Sequence, residues 1–137
     1  MASSALRVRP SDSEKITINL GAVDLGQIDL LVREGFFSNR TDFIRTAIRN
    51  NLATHADVVK QTVARRTLAF GLHHVSRSEL EALKASGTKL QLKVLGLASI
   101  ADDVTPELAR ETIESVFVLG VLQASAEVRA ALADRTG

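Results

Sequence analysis

The sequence predicts an α+β protein in which a short strand and two helices are followed by three strand-helix repeats with parallel strands. Two observations carry this prediction. Near the start, one segment of alternating polarity precedes two segments whose apolar residues recur at helical spacing. Further along, three apolar runs centred on glycines recur at spacings of 25 and 24 residues, and each run precedes a helix-start signal.

Residues 1–12 are expected to form a flexible arm, because serine, arginine and proline are frequent there and no apolar period is present. Residues 15–20 alternate strictly between apolar and polar side chains, which is typical of a strand with one buried face. The apolar face carries Ile16, Ile18 and Leu20. The polar face carries Lys15, Thr17 and Asn19.

A first helix is predicted over Val23 to Arg33, with Gly35 as its stop signal. A second helix is predicted to begin after Ser38, which we expect to be its N-cap. Its apolar stripe consists of Phe43, Ile44, Ala47, Ile48 and Leu52.

The strand-helix-helix unit lacks a pairing partner for its single strand, and its two helices bury too little apolar surface to offset the entropy of ordering them. A homodimer solves both problems if two copies of residues 15–20 pair antiparallel. The expected dimer core contains Ile16, Ile18, Leu20, Phe43, Ile44 and Ile48.

The segment KITINL, a glycine-bearing turn, an amphipathic helix and then GFFSNRTDFIRTAIRNNL occur in this order over residues 13–53. This order resembles the ribbon-helix-helix superfamily of the CopG, Arc and MetJ type. The resemblance implies an intertwined dimer that inserts a two-stranded ribbon into the major groove of double-stranded DNA.

The outward side chains Lys15, Thr17 and Asn19 suit base reading, because lysine can donate to guanine, asparagine can bond adenine bidentately, and threonine can contact a thymine methyl. The alternative is that they are only the solvent face of the strand. The start of the second helix is expected to bind phosphate, as the resemblance also implies, through Ser38, Asn39, Arg40 and Thr41. A helix cap without a ligand is the competing interpretation. Arg7 and Arg9 are possible arm contacts with phosphates, or simply solvated charges.

Residues 54–66 are predicted to be a helical linker, and residues 67–137 a C-terminal oligomerisation or effector domain. Its three runs centre on Gly71, Gly96 and Gly120, and helix-start signals follow at Ser76, Thr105 and Ser125. The period is typical of a solenoid-like stack of strand-helix units. An ordinary sheet with coincidental spacing is the alternative. The last strand, SVFVLGVL, is expected to be followed only by a short helix, so it is a candidate self-association surface because open strand edges can pair with another chain. Its folding under Val128 to Leu132 is the alternative.

Composition excludes several classes of site. The 137 residues contain no cysteine, so disulfides and thiolate chemistry are excluded. We expect no metal site, because His73 and His74 would point to opposite faces of a strand and His55 is the only other histidine. No cofactor is expected, and no catalytic constellation is visible, so an enzyme is not predicted. No run of residues is long and apolar enough to span a bilayer, which predicts a cytoplasmic, nucleoid-associated protein without a membrane partner.

The overall net charge of +1 combines +3 over residues 1–66 with −2 over residues 67–137, a weak hint of nucleic-acid binding at the front. The leading hypothesis is a repressor-like, sequence-specific transcriptional regulator acting as a homodimer or higher oligomer. A second is an architectural or scaffold protein whose C-terminal repeats self-assemble while the front half tethers it to DNA. A third is an antitoxin, ranked last because the back half is too apolar and regular for a tail that orders only on binding.

Overall fold

The computed structural model describes residues 13–137, so the two possible arm contacts, Arg7 and Arg9, lie outside the described residues. The chain divides into two compact units, one formed by Lys15–Thr62 and the other containing Val63–Gly137. The first unit contains helices α1 (Ala22–Arg33) and α2 (Arg40–Thr54). Helix α3 (Ala56–Arg66) begins in the first unit and ends in the second.

Residues 13–20 form no hydrogen-bonded strand within the described single chain. Pairing requires a second strand, and the one expected to pair with this segment belongs to a second copy. Helix α1 begins one residue before the predicted start, with Gly21 at its N-cap, and it ends before Gly35, whose φ is +88°. The positive φ explains the glycine, since side chains disfavour that conformation.

The second unit alternates strands and helices, as the sequence predicted. Its strands are β1 (Ala69–Val75), β2 (Leu90–Ile100) and β3 (Ile113–Gln123). Helices α4 (Arg77–Ser86), α5 (Pro106–Thr112) and α6 (Ala126–Ala131) follow them, and a single 3₁₀ turn spans Ala133–Arg135. The strands are parallel and form one open sheet in the order β1-β2-β3.

Local sequence signals start each of these three helices. The hydroxyl groups of Ser76, Thr105 and Ser125 accept hydrogen bonds from backbone amides three residues further on. Each bond satisfies an amide that has no partner within its helix. The three predicted helix starts are therefore confirmed at the level of individual atoms.

The three glycines lie in one row across the sheet, because Gly71 is paired with Gly96 and Gly96 with Gly120. All three have positive φ, between 110° and 136°. A Cβ on Gly96 would lie 2.1 Å from the carbonyl oxygen of Gly71, and one on Gly120 would lie 2.1 Å from that of Gly96. The backbones in this row approach more closely than any side chain would allow.

The hydrophobic core lies on the face of the sheet that the helices cover. Its buried side chains come from all three strands and all three helices, for example Val94, Ile100 and Val116 from the sheet and Leu80, Leu108 and Val128 from the helices. Buried Thr112 ends α5, and its hydroxyl donates to the carbonyl of Leu108 at 2.7 Å. The second unit thus has a packed core within a single chain.

The outer edge of β3 is partly occupied by the chain itself. Thr136 forms a parallel bridge with Val116, and the amide of Gly137 donates to the carbonyl of Val116 at 2.9 Å. The guanidinium of Arg135 donates to the carbonyl of Ile113 at 2.7 Å. The expectation that only a short helix follows this strand was therefore wrong, since residues beyond α6 return to the beginning of its free edge.

Candidate nucleic-acid interface

The unit formed by Lys15–Thr62 has almost no core of its own. Ile28, 5% exposed, is its only buried residue. Large apolar side chains are instead open to solvent, among them Ile16 at 74%, Ile18 at 56% and Leu52 at 61%. Such exposure over so short a segment is typical of a surface that another molecule covers.

A shallow apolar groove of about 410 Å³ runs between residues 18–20 and the two helices of this unit. Five of the six residues expected in the dimer core line it: Ile18, Leu20, Phe43, Ile44 and Ile48. The sixth, Ile16, lies outside the groove lining and is exposed. The structure therefore brings the predicted residues together around a space that one chain does not fill.

Lys15, Thr17 and Asn19 are all exposed. Among residues 13–137, no hydrogen bond or ion pair engages their side chains. Their donors and acceptors therefore remain available for base edges or for water.

The start of α2 differs from the sequence expectation, because Asn39, and not Ser38, is the N-cap. The Asn39 side chain accepts from the amide of Asp42 at 2.8 Å. The amide of Ser38 in turn donates to the carboxylate of Asp42 at 2.9 Å. This reciprocal pair resembles a capping box displaced by one residue, and it was missed because Ser38 and Asn39 are equally good capping residues by type.

The displaced cap changes which amides can bind an anion. The amide of Ser38 is occupied by Asp42, whereas Arg40 and Thr41 occupy the first two helical positions, where amides lack intrahelical acceptors. The candidate phosphate site therefore centres on the amides of Arg40 and Thr41. A carboxylate, that of Asp42, lies in the same turn.

Arg40 is held by a carboxylate of the preceding helix. Its Nε and Nη2 atoms donate to the two carboxylate oxygens of Asp29, each at 2.8 Å. The hydrogen bond from Arg40, more than its charge, lowers the pKa of Asp29, and the same pair raises the pKa of Arg40. Both side chains are about half exposed. Sequence reasoning missed Asp29, since its contact with Arg40 depends on how two helices pack and not on a local motif.

Aromatic packing fixes the loop before α2. The rings of Phe37 and Phe43 meet edge to face, with centroids 5.0 Å apart and planes at 83°. This contact joins the loop to the second turn of the helix, so the cap and the candidate phosphate site have a defined geometry.

The sequence profile of the ribbon-helix-helix transcriptional regulator family matches residues 11–129, which is most of the chain. The chain belongs to this family. Ribbon-helix-helix proteins form dimers and bind DNA, and the matched family is described as one of transcriptional regulators.

An uncharacterized protein of Methanocaldococcus jannaschii is 44% identical over 39 residues. The matched segment is 28% of this ribbon-helix-helix chain and 40% of the relative, so the similarity covers less than half of either protein. No solved structure is significantly similar to the chain.

Other kinds of site are not formed by the described residues. Within residues 13–137, no group of three or more histidine, aspartate or glutamate side chains is arranged to hold a metal ion. His74 instead shares a 2.7 Å hydrogen bond with the hydroxyl of Ser99 on the neighbouring strand. None of the described helices is long and apolar enough to cross a membrane.

Proposed function

We propose that this ribbon-helix-helix protein is a repressor-like, sequence-specific regulator that binds its operator as a homodimer. Residues 15–20 of two copies would pair antiparallel, and each copy would place its half of the apolar groove against the other. The observation that carries this proposal is the groove itself, lined by Ile18, Phe43 and Ile48 and open in the single chain. Only Ile28 is buried in this unit, so one copy alone has little to hold it folded.

In the proposed dimer the ribbon enters the major groove and exposes Lys15, Thr17 and Asn19 of each copy to base edges. The major groove of DNA is wide enough for two paired strands. The three residue types offer hydrogen-bond donors, an amide and a methyl group to the base edges. The two-fold symmetry of the proposed dimer makes the DNA sequence that it binds a short inverted repeat. The assignment is supported by the absence, among residues 13–137, of any hydrogen bond or ion pair to these side chains that would compete with the bases.

The backbone of DNA would be held at the start of α2. The amides of Arg40 and Thr41 point out of the first helical turn, where the helix dipole favours an anion. The guanidinium of Arg40 would leave Asp29 for a phosphate oxygen, and Ser38 and Asn39 would contact the same phosphate from the loop. Such contacts fix the register of the protein on DNA without reading sequence.

For the C-terminal unit, we propose a solenoid-like stack of three strand-helix units over residues 67–137, joined to the ribbon-helix-helix domain of residues 13–53 by the helical linker of residues 54–66. Support comes from the pairing of Gly71 with Gly96 and of Gly96 with Gly120 in one row. Equivalent capping bonds at Ser76, Thr105 and Ser125 also support it.

Selection of bound sequences from a random DNA pool tests the proposal, combined with the native mass of the free protein. We expect a dimer that enriches a short inverted repeat. The matched variant is Ile18→Asp, which places a charge in the groove and should abolish both dimer and enrichment. A monomeric wild-type chain, or binding with no enriched sequence at moderate salt, would refute sequence-specific reading by a paired ribbon.

A further inference from the structure

Helices α4, α5 and α6 cover one face of the sheet of the second unit, and among the described residues these helices leave the other face open. Side chains of Val94, Ala98 and Ile100 on β2 belong to the core beneath the helices. The intervening residues Leu95 and Leu97 do not belong to that core, so they lie on the opposite face. Residues paired with them on the neighbouring strands share that face.

This open face carries two rows of apolar side chains. Pairing places Leu95 between Phe70 and Leu119, and it places Leu97 between Leu72 and Val121. We call these six residues the open-face patch. Phe70 is 68% exposed, Leu72 57% and Leu119 47%, although each is a large apolar side chain, whereas Leu97 on the middle strand is only 9% exposed.

Polar residues border the patch. At the carboxyl ends of the strands, His74, Ser99 and Gln123 are paired in one row. At the other end, polar Lys93 lies beside apolar Phe117, and the next row pairs the polar residues Gln91 and Ser115. An apolar centre with a polar margin is the usual anatomy of a protein interface.

We infer that the open-face patch packs against the same patch of the second chain within one dimer. Helices α4, α5 and α6 all contribute to the core on the other face, so they do not cover this one. A second copy would supply an identical three-stranded sheet, and two such sheets pack face to face about 10 Å apart. The inference rests on the proposed dimer of residues 15–20.

The small size of the patch favours a partner that is already attached. Three strands about 4.8 Å apart, with two rows of side chains, present much less than the roughly 800 Å² per partner of a stand-alone complex. Separate molecules would therefore associate weakly through it. Two chains already joined by their N-terminal ribbons hold their sheets at a high effective concentration, which makes a small apolar contact sufficient.

The chain contains no cysteine, so single cysteines can report on this contact. Leu95→Cys places a thiol in the middle strand of the patch, and Glu81→Cys places one at an exposed position of helix α4 as the control. Each full-length variant is treated with a short bis-maleimide over a range of dilutions. We expect at least about tenfold more covalent dimer from Leu95→Cys than from Glu81→Cys, with a yield that dilution does not change.

Several outcomes would overturn the inference. Equal cross-linking of the two variants would mean that the open face is free in solution. A yield from Leu95→Cys that falls in proportion to concentration would assign the contact to separate dimers. The native mass separates the two proposals. A monomeric chain would refute the dimer formed by residues 15–20. A dimer that gives no covalent product with Leu95→Cys would refute only the contact between the sheets.

A second variant guards against misfolding of Leu95→Cys. Phe70→Ser removes a side chain that is 68% exposed in the single chain, so on an uncovered face it would leave the thermal midpoint unchanged. Packing against a second copy predicts a lower midpoint. An unchanged midpoint would contradict the inference.

Discussion

Arg40 and Asp29 join helices α1 and α2 of the first unit through two parallel hydrogen bonds, each 2.8 Å long. The guanidinium that the proposed function assigns to a DNA phosphate is thus already engaged by a carboxylate in the free protein. Both groups are about half exposed, so the pair contributes little to stability and can exchange for another partner. The ion pair matters for DNA binding, because a phosphate has to compete with Asp29 for the same guanidinium N–H groups of Arg40.

Asp29→Asn should strengthen non-specific DNA binding several-fold. The substitution removes the competing charge and leaves Arg40 free for phosphate, so the dependence of affinity on salt should steepen by up to about one phosphate contact per chain. Glu34→Gln is the control, since it removes an equal charge where no ion pair is present within the described residues. Weaker binding by Asp29→Asn alone would show that Asp29 orients Arg40 and does not compete for it.

The ion pair between Arg40 and Asp29 leads to a prediction about the titration of the Asp29 carboxyl group. The hydrogen bond from Arg40 holds the pKa of Asp29 below its ordinary value of 3.8. A carboxyl group with a lowered pKa in the folded protein stabilises the fold above its unfolded pKa, and that contribution disappears as the pH falls through the folded pKa. Carboxyl NMR titration should show the low value in the wild type and a return towards 3.8 in Arg40→Gln. Identical titrations in both proteins would contradict the ion pair.

Asn19→Ala should reduce sequence preference more than total affinity. A bidentate contact between asparagine and adenine contributes about 1–3 kcal/mol of discrimination, which corresponds to roughly 5- to 150-fold in the ratio of specific to non-specific binding. Arg40→Ala should weaken both kinds of binding alike, because phosphates carry no sequence information. Competition binding with selected and scrambled DNA measures both. Preference that changes with Arg40→Ala and not with Asn19→Ala would reverse the two assignments.

Local signals in the sequence predicted much of the second unit. Ser76, Thr105 and Ser125 cap their helices as expected because a cap involves only a hydroxyl and an amide three residues on. The parallel order of the strands followed from the helices between them. What the sequence missed are contacts set by packing, such as Asp29 with Arg40 and Thr136 beside Val116.

The boundary of α2 shows the limit of a local rule. Ser38 and Asn39 are adjacent, and both residue types favour the N-cap position, so composition does not choose between them. Asp42 determines that Asn39 is the N-cap. Its amide donates to the Asn39 side chain, and its carboxylate accepts from the amide of Ser38. A cap at Ser38 would instead place Thr41, which has no carboxylate, at the position that closes the box.

Asn39→Ala should therefore destabilise the proposed dimer by about 1 kcal/mol per chain, the usual cost of losing an N-cap side chain. Ser38→Ala is the matched control, because Ser38 takes part through its backbone amide and should change stability little. Denaturation at one fixed protein concentration compares the two, since dimer stability depends on concentration. A larger loss of stability from Ser38→Ala than from Asn39→Ala would indicate that Ser38 is the N-cap.

Gly96→Ala should destabilise the second unit by about 3 kcal/mol or more, because two penalties combine there. Its φ is +136°, and an added Cβ would lie 2.1 Å from the carbonyl oxygen of Gly71, which is backbone and cannot turn aside. Gly71→Ala separates the two penalties, since Gly71 has a φ of +110° and, apart from its chain neighbours, no atom of the described residues lies within 4 Å of an added Cβ. It should cost only the conformational strain, about 1–3 kcal/mol. Hydrogen exchange of second-unit amides in increasing urea gives the free energy of unfolding of this unit in each variant. The two values are then compared. Equal losses would mean that the strands separate enough to admit a methyl group, and the close approach along the glycine row would not be a constraint on the sheet.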